Sequence, residues 1–215
     1  APESRGHCVF KLTDNVKTTV ALTTGFLLVS CAGSASADLG YRELPNPCRL
    51  ASPETVAGLV GPAEPELGGL EDRDPEAKSD FVSQACEWNS TTAPGWGDLV
   101  LVNLQVQVVL SQFQDGSPAI SLAKAGADRQ LQDRRVQVPP PPFALGDQSS
   151  HYYTEVSGVQ ISVFYFRKAN VEVEVKYRGQ GGNYDGKEVN KPREELEEAA
   201  HAVAAEALEE LGPPR

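Results

Sequence analysis

The clearest alternation of apolar and polar positions runs from Asp98 to Gln112. Val100, Val102, Leu104, Val106, Val108 and Leu110 fall on one face, and Asn103, Gln105 and Gln107 on the other. A period of two over this length predicts a strand packed on one side and wet on the other. Val171, Val173, Val175 and Tyr177 alternate in the same way with Glu172, Glu174, Lys176 and Arg178. Val159, Ile161, Val163 and Tyr165 alternate with Gln160, Ser162, Phe164 and Phe166, so this strand carries apolar side chains on both faces near its end. Between these two strands, Arg167-Lys168-Ala169-Asn170 has the length and polarity of a hairpin turn, with Asn170 able to take a left-handed conformation. Phe81–Trp88 predicts a further strand.

Three stretches read as helices. Ser52-Pro53-Glu54-Thr55 is a helix start, because Ser52 can cap, Pro53 suits the first turn and Glu54 favours the positive end of the dipole. Val56, Leu59 and Val60 supply its buried face, and Gly61-Pro62 stops it. Ser117-Pro118 predicts a second capped start ahead of the stripe Ile120, Ala123, Ala127 and Leu131. Pro192–Leu211 predicts a long helix with Leu196, Ala200, Val203, Ala207 and Leu211 on one stripe. Glu64–Ser79 and Gly179–Gly186 read as loops, and Pro139–Pro142 as a stiff polyproline connector. This order predicts an α+β fold: a mainly antiparallel twisted sheet packed by a short N-terminal helix, a middle helix and a long C-terminal helix, in one domain spanning 46–212.

The apolar run Thr18–Val29 behind Lys17 has the make-up of an export signal and is too short for a transmembrane helix. Leu28-Val29-Ser30 directly before Cys31 resembles a bacterial lipobox. That resemblance implies that Cys31 becomes the acylated first residue of the mature chain, anchored to the outer face of the cell membrane. Residues 1–15 carry Glu3, Cys8 and Asp14, and the chain has no Met. They read as a misassigned upstream extension before a start at Val16, which leaves 16–30 as the signal peptide. Residues 31–45 are mostly small or polar and read as a flexible tether.

Charge narrows the choice of partner. The 215 residues carry a net charge of −11, and beyond the signal 16 basic and 28 acidic side chains leave about −12. Such a field repels nucleic acid and anionic headgroups, so neither a nucleic-acid partner nor a polybasic membrane patch is expected. With Cys31 acylated and Cys8 upstream, Cys48 and Cys86 are expected to pair in an oxidising space. No CxxC, HExxH or Cys/His cluster occurs, and no metal or cofactor is expected. Asp72, Asp74 and Glu76 alternate as in a calcium loop, but Ala77 and Ser83 stand where such a loop needs Gly and a bidentate Glu.

Candidate chemistry is sparse. No G-x-S-x-G elbow and no phosphate-cradling glycine loop is present. His201 follows Glu197 by four residues and reads as a surface ion pair. His151, close in sequence to Asp147 and beside Tyr152-Tyr153, is the better candidate for a ligand pocket or, with Asp147, for an exported hydrolase. Trp88, next to Cys86-Glu87, reads as core packing. The preferred contact surface is the strand region of Tyr152, Tyr153, Phe164 and Phe166.

Asn46-Pro47-Cys48-Arg49-Leu50 with Ser52-Pro53-Glu54-Thr55-Val56 and Gly61 resembles the start of a family of small actinobacterial lipoproteins of unassigned function. Cys86-Glu87-Trp88, Leu145-Gly146-Asp147 and Phe166-Arg167-Lys168-Ala169-Asn170-Val171 extend the likeness, although that family carries Gly where Ala169 stands. The resemblance implies an exported, lipid-anchored domain with a disulfide, and no reaction or catalytic residue. The functional expectation is a non-enzymatic binding or accessory lipoprotein at the cell envelope, contacting an envelope protein or a small ligand. A structural subunit of an envelope assembly and an exported hydrolase are the alternatives.

Overall fold

The computed structural model describes residues 39–68, 81–92, 99–133, 145–156, 159–182 and 188–214. The signal, Cys31, the acidic alternation at 72–76 and the prolines at 139–142 lie outside the described residues. Seven strands form one antiparallel sheet: β1 (Glu66–Gly68), β2 (Phe81–Thr92), β3 (Leu99–Ser111), β4 (Gln148–Val156), β5 (Val159–Lys168), β6 (Val171–Gly182) and β7 (Glu188–Asn190). Their order is β1-β2-β3-β6-β5-β4, and β7 pairs with β6 beyond the end of β5. Three helices complete the α+β fold: α1 (Pro53–Leu59), α2 (Ile120–Asp133) and α3 (Arg193–Leu211).

The main core lies on one side of the sheet. Register places the even apolar residues of β3 beside Val171, Val173, Val175 and Tyr177 of β6, and those beside Phe164 and Phe166 of β5. α1 and α3 cover this face, α3 through the stripe Leu196, Ala200, Val203, Ala207 and Leu211. Ser52 caps α1 by accepting the Thr55 N–H at 3.1 Å, and Gly61 ends it at φ +87°. The Tyr177 hydroxyl donates to the Leu59 carbonyl at 2.9 Å, tying α1 to β6. Cys48, in a 3-10 turn ahead of α1, is bonded to Cys86 of β2 across a Cα separation of 5.1 Å, as expected.

The opposite face is polar in sequence but only partly wet. Asn103 was expected in water, yet it is buried, its amide donating to Glu87 Oε1 at 2.6 Å and Asn89 Oδ1 at 2.8 Å across the β2–β3 pair. Paired amides of this kind can leave water without leaving donors unsatisfied. α2 packs over the near half of this face through Ala123 and Ala127, with buried Ala119 just ahead of it, above Tyr165 and Glu172. Gly126 is the close-approach position, since a Cβ there would come within 3.2 Å of Glu172 Oε1. α2 starts later than Ser117-Pro118 suggested. Ser117 instead donates its N–H and hydroxyl to Asp115 Oδ1, and Pro118 bridges to Gln112.

The β5–β6 hairpin also departs from expectation. Its two-residue loop puts the positive φ (52°) on Ala169 rather than Asn170. Asn170 is occupied elsewhere: its buried amide accepts the Tyr41 N–H at 2.7 Å and donates to the carbonyls of Tyr41 and Ser111 at 2.9 and 2.8 Å. This clamp holds the end of the stretch read as a tether. Leu44 packs against the core, and the Tyr41 hydroxyl donates to Gly212 O at 2.7 Å. Within the expected loop 64–79, Glu66–Gly68 pairs with β2 as a strand too short to show a period in sequence.

Candidate functional site

Beyond the end of α2, the β4–β5–β6 part of the polar face forms a cup of about 490 Å³. Ile161 and Val163 of β5 lie buried at its base, and Tyr152, Thr154 and Val156 of β4 and Lys176 of β6 stand around it. Register dictates this grouping, because Tyr152 lies opposite Val163, Thr154 opposite Ile161, and Val163 opposite Lys176. Alternation then sends all of these side chains to one side of the sheet. Tyr153 points to the other side but borders the cup at the β4 edge. Val156 at the mouth is 55% exposed.

The polar end of the cup is a short chain of bonds. The Tyr152 hydroxyl donates to Glu174 Oε2 at 3.0 Å, and Lys176 Nζ contacts Glu174 Oε1 at 2.7 Å. Glu174 is nearly enclosed, whereas the Lys176 side chain keeps about a third of its surface. Deeper, under α2, the Tyr165 hydroxyl donates to Glu172 Oε2 at 2.9 Å. Burial pushes the Glu172 carboxyl above the usual range, partly offset by the Tyr165 hydrogen bond and by Arg167. Among the described residues, no group of three or more His, Cys, Asp and Glu side chains is arranged to hold a metal ion.

A second polar cluster lies on the other face, beneath α3. His151 is 1% exposed, and its Nε2 stands 2.9 Å from the hydroxyl of Ser162. Its Nδ1 is buried without a hydrogen-bond partner, 3.6 Å from Glu197 Oε1. The other oxygen of Glu197 accepts the Tyr153 hydroxyl at 2.7 Å, and the Arg193 guanidinium sits 3.7 Å above the Tyr153 ring. Phe164 is held between the two histidines, with ring centroids 5.8 Å from His151 and 5.2 Å from His201. Burial lowers the affinity of His151 for a proton, and Glu197 restores only part of it. Burial and the bond to Glu197 push the Tyr153 hydroxyl up to about 12.

A serine, an imidazole and a carboxylate therefore meet in the order that nucleophilic hydrolysis uses. The chemistry stops at access. Ser162 is 0% exposed, in mid-strand under a helix, so no substrate carbonyl can reach its oxygen in this conformation. Asp147, paired with His151 in the sequence reading, is elsewhere. Its Oδ2 accepts Arg167 Nη1 at 3.1 Å and the Ala169 N–H at 2.7 Å, which braces the hairpin. Gly146 (φ 63°) permits this, since a Cβ there would run into the Arg167 carbonyl oxygen.

The expected contact residues thus divide between two faces. Tyr152 lines the cup and Tyr153 borders it, but Phe164 and Phe166 are core residues under α3 and offer no surface to a partner. Apolar residues on both faces of β5 reflect cover from both sides, by α3 on one and α2 on the other. His151 likewise is a core histidine. Missed in the sequence were Lys176, Glu174, Ile161 and Val163, which meet only through the β5–β6 register. Among the described residues, no helix is long and apolar enough to cross a membrane. No protein-family model, curated protein or solved structure matches this chain.

Proposed function

We propose that this chain is an exported lipoprotein, acylated at Cys31 and held at the outer face of the cell membrane, whose folded body binds without catalysis through the Tyr152–Lys176 cup. The observation that carries the binding reading is the cup itself: Tyr152, Thr154 and the exposed Val156 stand with the partly exposed Lys176 around a hollow on the part of the sheet face that α2 leaves uncovered. Its volume falls in the range of small-molecule sites. The Cys48–Cys86 bond supports an oxidising compartment, and the lipobox likeness supplies the anchor.

The test combines two readouts in intact cells. A benzophenone amino acid at Val156, on the mouth, gives a discrete photo-adduct that the same group at exposed Phe113, near the other end of the sheet, does not give. Cys31→Ser releases the chain from the membrane fraction, as expected where acylation anchors it. Equal adducts at both positions, or none, overturn the binding reading; unchanged membrane retention overturns the anchor. The Ser162–His151 contact favours hydrolysis as a second reading, which stands only if an active-site-directed fluorophosphonate labels Ser162 in the folded protein.

A further inference from the structure

We propose that Arg178, on the part of the polar sheet face that α2 leaves uncovered, seats the carboxylate of a small polyhydroxylated acid of the sugar-acid class. Register puts Arg178 of β6 between Asn103 of β3 and Ile161 of β5, with Thr154 of β4 next in line. Gln180 follows two residues on, and Gln105 lies one diagonal step away on β3. Alternation sends all of these side chains to the side where Tyr152 and Lys176 stand. The seat adjoins the cup but does not depend on it, because Arg178 is not among the residues around the hollow.

Arg178 carries a charge that the protein does not answer. Its Nε is shut away from solvent without a hydrogen-bond partner, and among the described residues no hydrogen bond or ion pair holds the rest of its guanidinium. The other cations of this face are answered: Lys176 meets Glu174 at 2.7 Å, and Arg167 meets Asp147 at 3.1 Å. Drawing a guanidinium partly out of water with no partner costs free energy, which an incoming anion offsets. Access is from one side. The side chain keeps some exposure and only Nε is shut in, so the two terminal nitrogens remain open to solvent. Their N–H donors form a planar fork that matches the two oxygens of a carboxylate.

The body of the ligand follows from what surrounds the fork. Gln105, Gln180 and Thr154 are partly exposed, and among the described residues none of their side chains makes a hydrogen bond. Two amides and a hydroxyl supply donors and acceptors together, and ligand hydroxyl groups use both. Their backbone positions stand about 7–10 Å from that of Arg178, within reach of one sugar ring and its substituents.

The test is a titration of the purified protein followed by nitrogen–proton correlation spectra, in which the Arg178 Nε–H gives its own signal. The probes are glucuronate, glucose, glucosamine and glucose 6-phosphate, with acetate as the bare carboxylate. Glucuronate shifts the Arg178 signal saturably and binds about tenfold or more tighter than glucose, as a charge-assisted bond requires, and glucosamine leaves the signal in place. Arg178→Gln removes glucuronate binding, read from the backbone signals of Thr154 and Gln180, while Arg178→Lys keeps part of it. Equal binding of glucose and glucuronate, or glucuronate binding that survives Arg178→Gln, overturns the seat. Tighter binding of glucose 6-phosphate overturns the carboxylate, and acetate binding as tightly as glucuronate overturns the polyhydroxylated body. If no probe moves the Arg178 signal, the seat falls, whereas a photo-adduct at Val156 in the same protein leaves the cup standing. The comparison of probes on the unmodified protein decides the matter even if Arg178→Gln does not fold.

Discussion

Ala169 holds a left-handed backbone that an L-residue with a Cβ adopts at a cost of roughly 1 kcal/mol. The hairpin tolerates it because Asp147 accepts the Ala169 N–H and Arg167 donates to the Ala169 carbonyl at 2.7 Å. Ala169→Gly is therefore expected to raise stability by about 0.5–1 kcal/mol, measured by chemical denaturation, since glycine meets this φ without strain and loses only one methyl group. A neutral or destabilising result would mean that the buried methyl outweighs the strain. The turn's position was legible in the sequence, and its left-handed residue was not. Asn170 looked the better candidate on propensity, but its amide is committed to Tyr41, 129 positions earlier, a contact that local pattern cannot reveal.

Among the elements, α3 was the most legible, because nineteen residues with apolar side chains on one stripe leave little ambiguity. Strands β3 and β6 were legible for the same reason. What the stripe cannot show is the polar company that α3 keeps. Glu197, Arg193 and His201 face His151 from the helix, and Tyr153 faces it from its own strand. His151 binds a proton less readily folded than unfolded, chiefly through burial. Its contribution to stability is thus present above the unfolded value near 6.5 and is lost as pH falls through that value. The melting temperature is expected to drop between pH 7.5 and 5.5 by more in the parent than in His151→Gln, which keeps a partner for Ser162 but cannot ionise. Glu172, whose carboxyl is pushed up by burial, works in the opposite sense, and it cancels in the difference between the two proteins. Parallel melting curves would remove His151 from the pH response.

At the scale of the whole molecule, the Cys48–Cys86 bond closes a loop over 38 positions and joins the entry of α1 to the middle of β2. The chain-entropy relation gives about 4 kcal/mol for such a closure. Replacing both cysteines by serine is expected to lower the denaturation free energy by an amount of that order, and loss of under about 1 kcal/mol would show that packing alone sets the α1–β2 contact. The pairing was legible from cysteine arithmetic once export was assumed. The candidate site was legible only in part. Tyr152 stood out as an aromatic residue near a histidine, but its useful neighbours lie on two other strands. The alternation of β5 does carry a signal for this: apolar residues on both faces of an antiparallel strand call for cover on both sides.

The amide clamp of Asn170 on Tyr41 also sets a leash. With an acyl group on Cys31, eight peptide steps remain before Leu39, which extend at most about 29 Å. The leash leaves the body beside the tip of the β5–β6 hairpin, and the mouth at Val156 lies at the far end of the same strands, about 30 Å away. Were Cys31 acylated as proposed, the hairpin tip would be the end of the body tied closest to its anchor, and Val156 the end left farthest from it.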